Sequence, residues 1–305
     1  MSPPADDGTR AGRVVASHGR HLIVETDARA RVHAHLRGKR SEAVVGDCVR
    51  WRPSGDGGGV EGVEPRRNLL FRQDEWRSKS FAANLDGILV LIAGDPMFSE
   101  GQLARALIAA AHAGIPACIG LNKIDLPVAA VARARLAPYA AMGVPVLELA
   151  LKAATDIARA TLHPVLHGRT TLVLGPSGSG KSTLINRLVP DADAQVGEVS
   201  RALGGGRHTT TTTTWYWLGE DADAGALIDS PGFQEFGLHQ VAPTDLAALM
   251  PDLAIELGGC RFYNCTHRHE PGCAVRAAVD AGRIGAQRYR LYGEIFDQLS
   301  APPRY

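Results

Sequence analysis

Thr170-Thr171-Leu172-Val173-Leu174-Gly175-Pro176-Ser177-Gly178-Ser179-Gly180-Lys181-Ser182-Thr183 is the stretch that decides the fold. An apolar run leads into a glycine-rich loop, and the apolar-patterned Leu184-Ile185-Asn186-Arg187-Leu188-Val189 follows. Residues 175–183 satisfy G-x-x-x-x-G-K-S/T, a P-loop between a buried strand and a helix. Glycines let the backbone curl so that successive N–H groups point at phosphate oxygens. The start of the following helix adds partial positive charge. Lys181 is expected to reach the β- and γ-phosphates, and the Ser182 hydroxyl to ligate Mg²⁺. The loop does not choose between ATP and GTP.

Upstream, Asn122-Lys123-Ile124-Asp125 ends the apolar run Ile115–Leu121 and reads as N-K-x-D. Ligands of open α/β sheets sit at the carboxyl ends of strands, where this tetrapeptide falls. The Asp125 carboxylate can accept from guanine N1–H and the 2-amino group, whereas adenine would leave it unpaired. Charge-assisted hydrogen bonds are worth roughly 1.5–3 kcal/mol each, so losing two costs orders of magnitude in affinity. Asn122 is expected at the other edge of the base, with the Lys123 stem over its ring. Downstream, Asp229-Ser230-Pro231-Gly232 closes a further apolar run and fits D-x-x-G. Asp229 is expected to hold Mg²⁺ through water, and the Gly232 N–H to meet the γ-phosphate.

Between and around these motifs, apolar runs at 85–94, 115–122, 144–151, 170–177, 215–218 and 225–232 alternate with alanine-rich stretches at 100–113, 128–141 and 153–167. This pattern predicts an α/β sheet covered on both faces. Residues 11–65 read differently. Five short runs separated by turn residues, with Gly46-Asp47 and Gly57–Gly59 as punctuation, predict a small closed barrel such as an OB-fold. Beyond residue 240 no strand is legible, and a last helix is expected near 284–299. Cys260, Cys265, His267 and Cys273 lie within 14 residues. Three thiolates and an imidazole are a common tetrahedral zinc set, and four protein ligands imply one structural ion. His269 is a competing ligand. Cys48 and Cys118 fall in predicted strands and read as small core residues.

The chain has 305 residues, room for two or three domains, and its 45% hydrophobic and 21% charged content is that of a soluble globular protein. No apolar run is long enough to cross a membrane. The first ten residues lack an apolar segment and are expected to be a disordered leader, which points to the cytoplasm and to reduced cysteines. Residues 1–80 and 260–305 carry more Lys and Arg than Asp and Glu, whereas the middle is acidic. Basic flanks suit a nucleic-acid partner.

In ordinary GTPases the P-loop precedes N-K-x-D, and here the order is reversed, as in a circularly permuted domain whose termini lie together at the surface. The barrel, Gly206-Arg207-His208-Thr209-Thr210-Thr211, D-x-P-G followed by Phe233, and the Cys/His cluster occur together. That combination resembles ribosome small subunit-dependent GTPase A, a family of circularly permuted, bacterial ribosome-biogenesis GTPases. The resemblance covers about residues 11–300. It implies an OB-like barrel over 11–70, a permuted G domain over 71–238 and a helical zinc domain over 239–305. It further implies GTP and GDP as ligands, Mg²⁺ with GTP, one zinc per chain, the small subunit and 16S rRNA as partners, and a monomer away from membranes. The nucleotide site would comprise Asn122, Lys123, Ile124, Asp125, Gly175, Pro176, Ser177, Gly178, Ser179, Gly180, Lys181, Ser182, Thr183, Asp229 and Gly232. One of Thr209, Thr210 and Thr211, taken as Thr210, would sense the metal alongside Ser182, and family spacing favours His267 as the fourth zinc ligand. His208 and Lys181 would serve catalysis, because Phe233 stands where Ras-like proteins place a water-orienting glutamine. Two departures are visible. Ser230 replaces the usual threonine, and Leu149-Ala150-Leu151-Lys152-Ala153 stands where a Ser-Ala pair normally touches the guanine oxygen. Two rivals remain: a P-loop ATPase or small-molecule kinase, and an RNA-binding zinc protein with a passive nucleotide site.

Overall fold

Five short runs separated by turn residues let a sheet curl until its edge strands pair around one buried face. The computed structural model describes residues 8–18, 21–36, 42–55, 57–73, 78–189, 192, 213–230, 233 and 237–301. In it β1 (Arg10–His18), β2 (His21–Glu25), β3 (Arg31–Leu36), β4 (Cys48–Ser54) and β5 (Gly57–Val63) form a closed barrel. The strand order is β1-β2-β3-β5-β4, and β4 pairs back onto β1 through Arg10↔Trp51 to Arg13↔Cys48. Val14, Ala16, Leu22, Val24, Val49, Trp51 and Val60 fill the interior. Cys48 corrects the expectation from sequence. It opens β4 on the exposed side, while Val49 and Trp51 point inward, because the strand period is two and Cys48 shares its parity with exposed Arg50. Cys118 is buried as expected.

A hairpin not legible in the sequence follows, β6 (Leu69–Gln73) paired with β7 (Ser78–Ala83) as a separate two-stranded sheet. It straddles residue 70, where the first domain was expected to end. Asn84 Nδ2 and the Ala83 N–H anchor it to the barrel carbonyls of Gly46 and Val45 at 3.0 and 2.9 Å.

The second unit has five parallel strands in the order β10-β9-β8-β11-β13, with β12 antiparallel on the β13 edge. They are β8 (Gly87–Ala93), β9 (Ala117–Asn122), β10 (Val146–Leu149), β11 (Thr170–Leu174), β12 (Thr213–Trp217) and β13 (Ala226–Asp229). Helices α1 (Glu100–His112) and α2 (Ala129–Ala141) bury Leu103, Ala106, Leu136 and Tyr139 against Ile88, Val90 and Ile119 on one face. On the other face α3 (Thr155–Leu166) and α4 (Lys181–Leu188) bury Leu162, Leu166, Leu184 and Ile185 against Leu89, Leu91 and Val173. Two covered faces explain why these strands read as unbroken apolar runs.

Barrel and sheet are continuous. β1 pairs with β12 at Ala16↔Thr214 and Ser17↔Thr213. Trp217 Nε1 donates to Glu25 at 2.8 Å, and the Arg13 guanidinium lies over the Trp215 ring at 4.7 Å. The C-terminal part contains α5 (Pro251–Ala254), α6 (Ala274–Asp280) and α7 (Ala286–Ser300). Arg288 of α7, buried, pairs with Asp252 through two hydrogen bonds of 3.0 Å and stacks over Tyr139 of α2, joining this part to the sheet unit. No helix among the described residues is long and apolar enough to cross a membrane.

Candidate nucleotide and metal sites

Strand register brings the motifs together. Asn122, the last residue of β9, is level with Ala93 of β8 and Leu149 of β10, so the loops after these strands open on one edge. The P-loop follows β11 between β8 and β13, and Asp229 ends β13 at the level of Val173. Two glycines are required by contacts. A Cβ on Gly175 would lie 2.1 Å from the Leu91 carbonyl oxygen, and Gly175 has φ +159°. Gly180, at φ +109°, would carry a Cβ 2.3 Å from Asn122 Nδ2. The loop therefore closes against N-K-x-D only because Gly180 has no side chain and reaches the left-handed region.

Asn122 joins the loops. Its Nδ2 donates to the Ser179 carbonyl at 2.9 Å, and its Oδ1 accepts from the Leu151 N–H at 3.2 Å. The residue is 3% exposed. The Ile124 N–H also donates to the Leu149 carbonyl at 3.2 Å. The stretch 149–153, which stands where the family carries a Ser-Ala pair, thus lies against the N-K-x-D turn. The pairing of the Leu151 N–H with Asn122 was not foreseen, because a backbone role leaves no side-chain signal. Lys123, at φ +62°, donates from Nζ to the Asp95 carbonyl at 2.5 Å, so the loop after β8 belongs to the same wall. Asp125 is exposed, and no protein group among the described residues hydrogen-bonds its carboxylate.

At the phosphate end, Lys181 Nζ donates to the carbonyls of Gly175 and Pro176 at 2.6 and 3.1 Å. Burial holds its pKa below the ordinary lysine value, and the nearby Asp229 charge opposes that shift. Burial likewise pushes the Asp229 carboxyl up, against the pull of Lys181 and the Ser230 N–H. Asp229 Oδ1 is buried with no hydrogen-bond partner among the described residues. A desolvated carboxylate oxygen at a P-loop fits a hydrated divalent cation, the donor class Mg²⁺ takes. Ser182 and Thr183 lie in the first turn of α4. Ser230 hydrogen-bonds Thr213 Oγ1 at 3.0 Å, which ties the residue after Asp229 to the start of β12. Phe233 is 4% exposed and packs in the apolar core. Gly206, His208, Thr209, Thr210, Thr211 and Gly232 lie outside the described residues.

The second site is the cysteine cluster. One donor atom from each of Cys260, Cys265, His267 and Cys273 lies within 4.8 Å of every other. His267 Nδ1 is 3.5 Å from both the Cys260 and Cys273 sulfurs. A tetrahedral zinc ion with ordinary bond lengths separates its nitrogen and sulfur donors by about 3.6 Å. The set therefore fits one metal ion and leaves no open position. Burial lowers the His267 pKa, favouring the neutral, ligating imidazole. The turn is held from outside. Burial alone would raise the Glu270 pKa, but the Thr266 hydroxyl and the N–H groups of Thr266, Glu270 itself and His269 hold it well below the carboxylate range. Tyr289 and Tyr292 of α7 donate to the carbonyls of His267 and Thr266. His269, the alternative ligand, is outside the cluster.

Residues 63–239 match the profile of the family described as RsgA GTPase. The chain is 58% identical over 310 residues to the small ribosomal subunit biogenesis GTPase RsgA of Variovorax paradoxus strain S110, covering 98% of this chain and 97% of that protein. It is 52% identical to the protein of the same name from Burkholderia pseudomallei strain K96243, over 98% and 95% of the two chains. Among solved structures it resembles YjeQ from Thermotoga maritima, with a TM-score of 0.72 and 27% identity over 96% of this chain and 99% of that one. The fold is also that of YloQ, described as a circularly permuted GTPase, with a TM-score of 0.70 over the whole of both chains at 22% identity. Given the joined P-loop and N-K-x-D turns and these matches, the chain belongs to the RsgA GTPase family and is a GTP hydrolase.

Proposed function

We propose that this protein is a GTP-driven maturation factor of the small ribosomal subunit, whose hydrolysis is stimulated by that subunit. The observation that carries the nucleotide part is the Asn122 side chain, which couples the P-loop at Ser179 to the 149–153 loop at Leu151. Base and phosphate positions are thereby set by one buried amide. Asp125 reads the guanine edge with its unspent carboxylate, and the main chain near Leu151 faces the guanine oxygen. The N–H groups of residues 176–183 and the start of α4 cradle the phosphates. Lys181 exchanges its two carbonyl partners for β- and γ-phosphate oxygens, which compensates its buried charge.

Ser182, Thr210 and, through water, Asp229 would hold Mg²⁺, which when bound neutralises charge on the phosphate oxygens. The Gly232 N–H would meet the γ-phosphate. His208 would orient the attacking water, since the buried Phe233 ring has no polar atom to offer. Cys260, Cys265, His267 and Cys273 would hold one zinc ion that stiffens the C-terminal unit. The barrel (11–70), which is basic, and the zinc unit (239–305), which is basic over residues 260–305, would grip 16S rRNA on either side of the G domain (71–238). The protein would work in the cytoplasm as a monomer.

The test is multiple-turnover GTP hydrolysis with and without purified small subunits, with GDP, ATP and xanthine nucleotides as competitors. Subunits should raise turnover, and ATP should fail to displace GDP. His208→Ala should keep affinity for a non-hydrolysable GTP analogue and lose most of the stimulation. Turnover that subunits leave unchanged would refute the coupling and make the G site a passive ligand site.

A further inference from the structure

Zinc-binding turns of this kind place their tip residues with little freedom, and this one holds out two aromatic rings. Five large apolar side chains are exposed among the described residues: Val131, Ile157, Ile255, Phe262 and Tyr263. Two of them are adjacent aromatics between the cluster residues Cys260 and Cys265. Tyr263 is as exposed as in an extended chain, and Phe262 is 40% exposed. The backbone beneath them is pinned by Arg261 N–H to Gly272 O at 3.0 Å and Cys265 N–H to Phe262 O at 3.2 Å. Flanking residues Arg261 and Asn264 are exposed, and the Arg261 guanidinium lies 5.5 Å from the Phe262 ring centre. Exposing two rings costs free energy that a solvated loop would avoid with polar residues.

We propose that Phe262 and Tyr263 form a stacking platform for unpaired nucleobases of single-stranded RNA. This rests on the reading that the zinc unit grips small-subunit RNA, and it names the contact. Exposed rings on a pinned backbone beside a cation and an amide are the combination that takes splayed-out bases: the rings stack, the guanidinium meets a phosphate or a base face, and the amide meets a base edge. The basic balance of residues 260–305 favours the same occupant.

The test uses the full zinc-loaded chain with a single-stranded oligoadenylate carrying 2-aminopurine and, separately, with purified small subunits. The unmodified chain should quench the probe by stacking. The double variant Phe262→Ala, Tyr263→Ala should lose the quenching and bind both ligands roughly ten- to a hundredfold more weakly. Tyr263→Trp should keep both properties, and Tyr263→Leu, apolar but without a π face, should lose quenching. Because Tyr263 is fully exposed, that single change keeps the test meaningful even if the double variant binds zinc poorly. Equal quenching and affinity in the Tyr263→Leu variant overturn the proposal. Weaker subunit binding with intact oligonucleotide binding also overturns it, assigning the tip to a protein surface. If the unmodified chain quenches the probe but does not bind subunits, the platform stands and the small-subunit reading falls.

Discussion

Replacing Asn122 by alanine removes a side chain that ties the P-loop to the 149–153 loop of the nucleotide site. The lost contacts are the 2.9 Å bond to the Ser179 carbonyl and the 3.2 Å bond from the Leu151 N–H. Such a bond is worth about 1 kcal/mol net, but when one partner is removed the other, left buried and unsatisfied, costs about 1–3 kcal/mol instead. Asn122 is 3% exposed and Leu151 1% exposed, so desolvation applies to the N–H in full. Ser179 is 0% exposed, so its carbonyl is left unsatisfied in the same way. The two groups together give about 2–6 kcal/mol, a large share of a typical folding free energy. The assay is urea unfolding of the nucleotide-free protein, read as the transition of the G domain, together with GDP affinity. Asn122→Asp is the informative partner. It keeps the acceptor for Leu151 but sets a carboxylate oxygen against the Ser179 carbonyl, and it should lose at least as much. A loss under about 0.5 kcal/mol for Asn122→Ala, with unchanged GDP affinity, would refute the view that this amide sets the site.

Three further outcomes are expected. Asp252→Ala leaves Arg288 buried and unpaired above Tyr139, so thermal unfolding should fall by the equivalent of about 3–5 kcal/mol, whereas an exposed pair such as Arg50–Glu64 should cost under about 1 kcal/mol when broken. Burial pushes the Cys118 thiol up to about 11, so a thiol reagent at pH 8 should label exposed Cys48 and spare Cys118 in the folded protein. The sign follows from the raised value: the stability this thiol contributes is complete below its unfolded pKa near 9 and is lost as pH rises through 11, so Cys118→Ala should flatten the alkaline limb of stability against pH. Elemental analysis of protein purified without chelator should find one zinc per chain. Cys265→Ala should abolish it and loosen residues 260–273, as seen by hydrogen exchange, without emptying the nucleotide site.

Much of this molecule is legible in its residues because the signals are local. Gly175 to Thr183 must form a phosphate-binding turn, since each glycine and the Lys-Ser pair has a role within nine residues. Asn122 to Asp125 announces a guanine reader in the same way. Five short runs with turn residues between them in 11–65 are enough for a five-strand barrel, and the spacing of Cys260, Cys265, His267 and Cys273 is enough for a tetrahedral cluster. What the chain could not show is whatever depends on neighbours distant in sequence. Leu151 enters the nucleotide site through a main-chain N–H, which has no letter of its own. Cys48 faces outward because of register in the barrel, a matter of parity that one step of slippage would reverse. The hairpin 69–83 lacks a turn signature, and its place is set by bonds to the carbonyls of Val45 and Gly46. That β1 continues the G-domain sheet through β12 rests on backbone pairing and on Arg13 meeting Trp215, contacts nearly 200 residues apart. A sequence prescribes chemistry wherever spacing along the chain equals spacing in space. Where folding brings distant backbone together, only the tertiary structure decides.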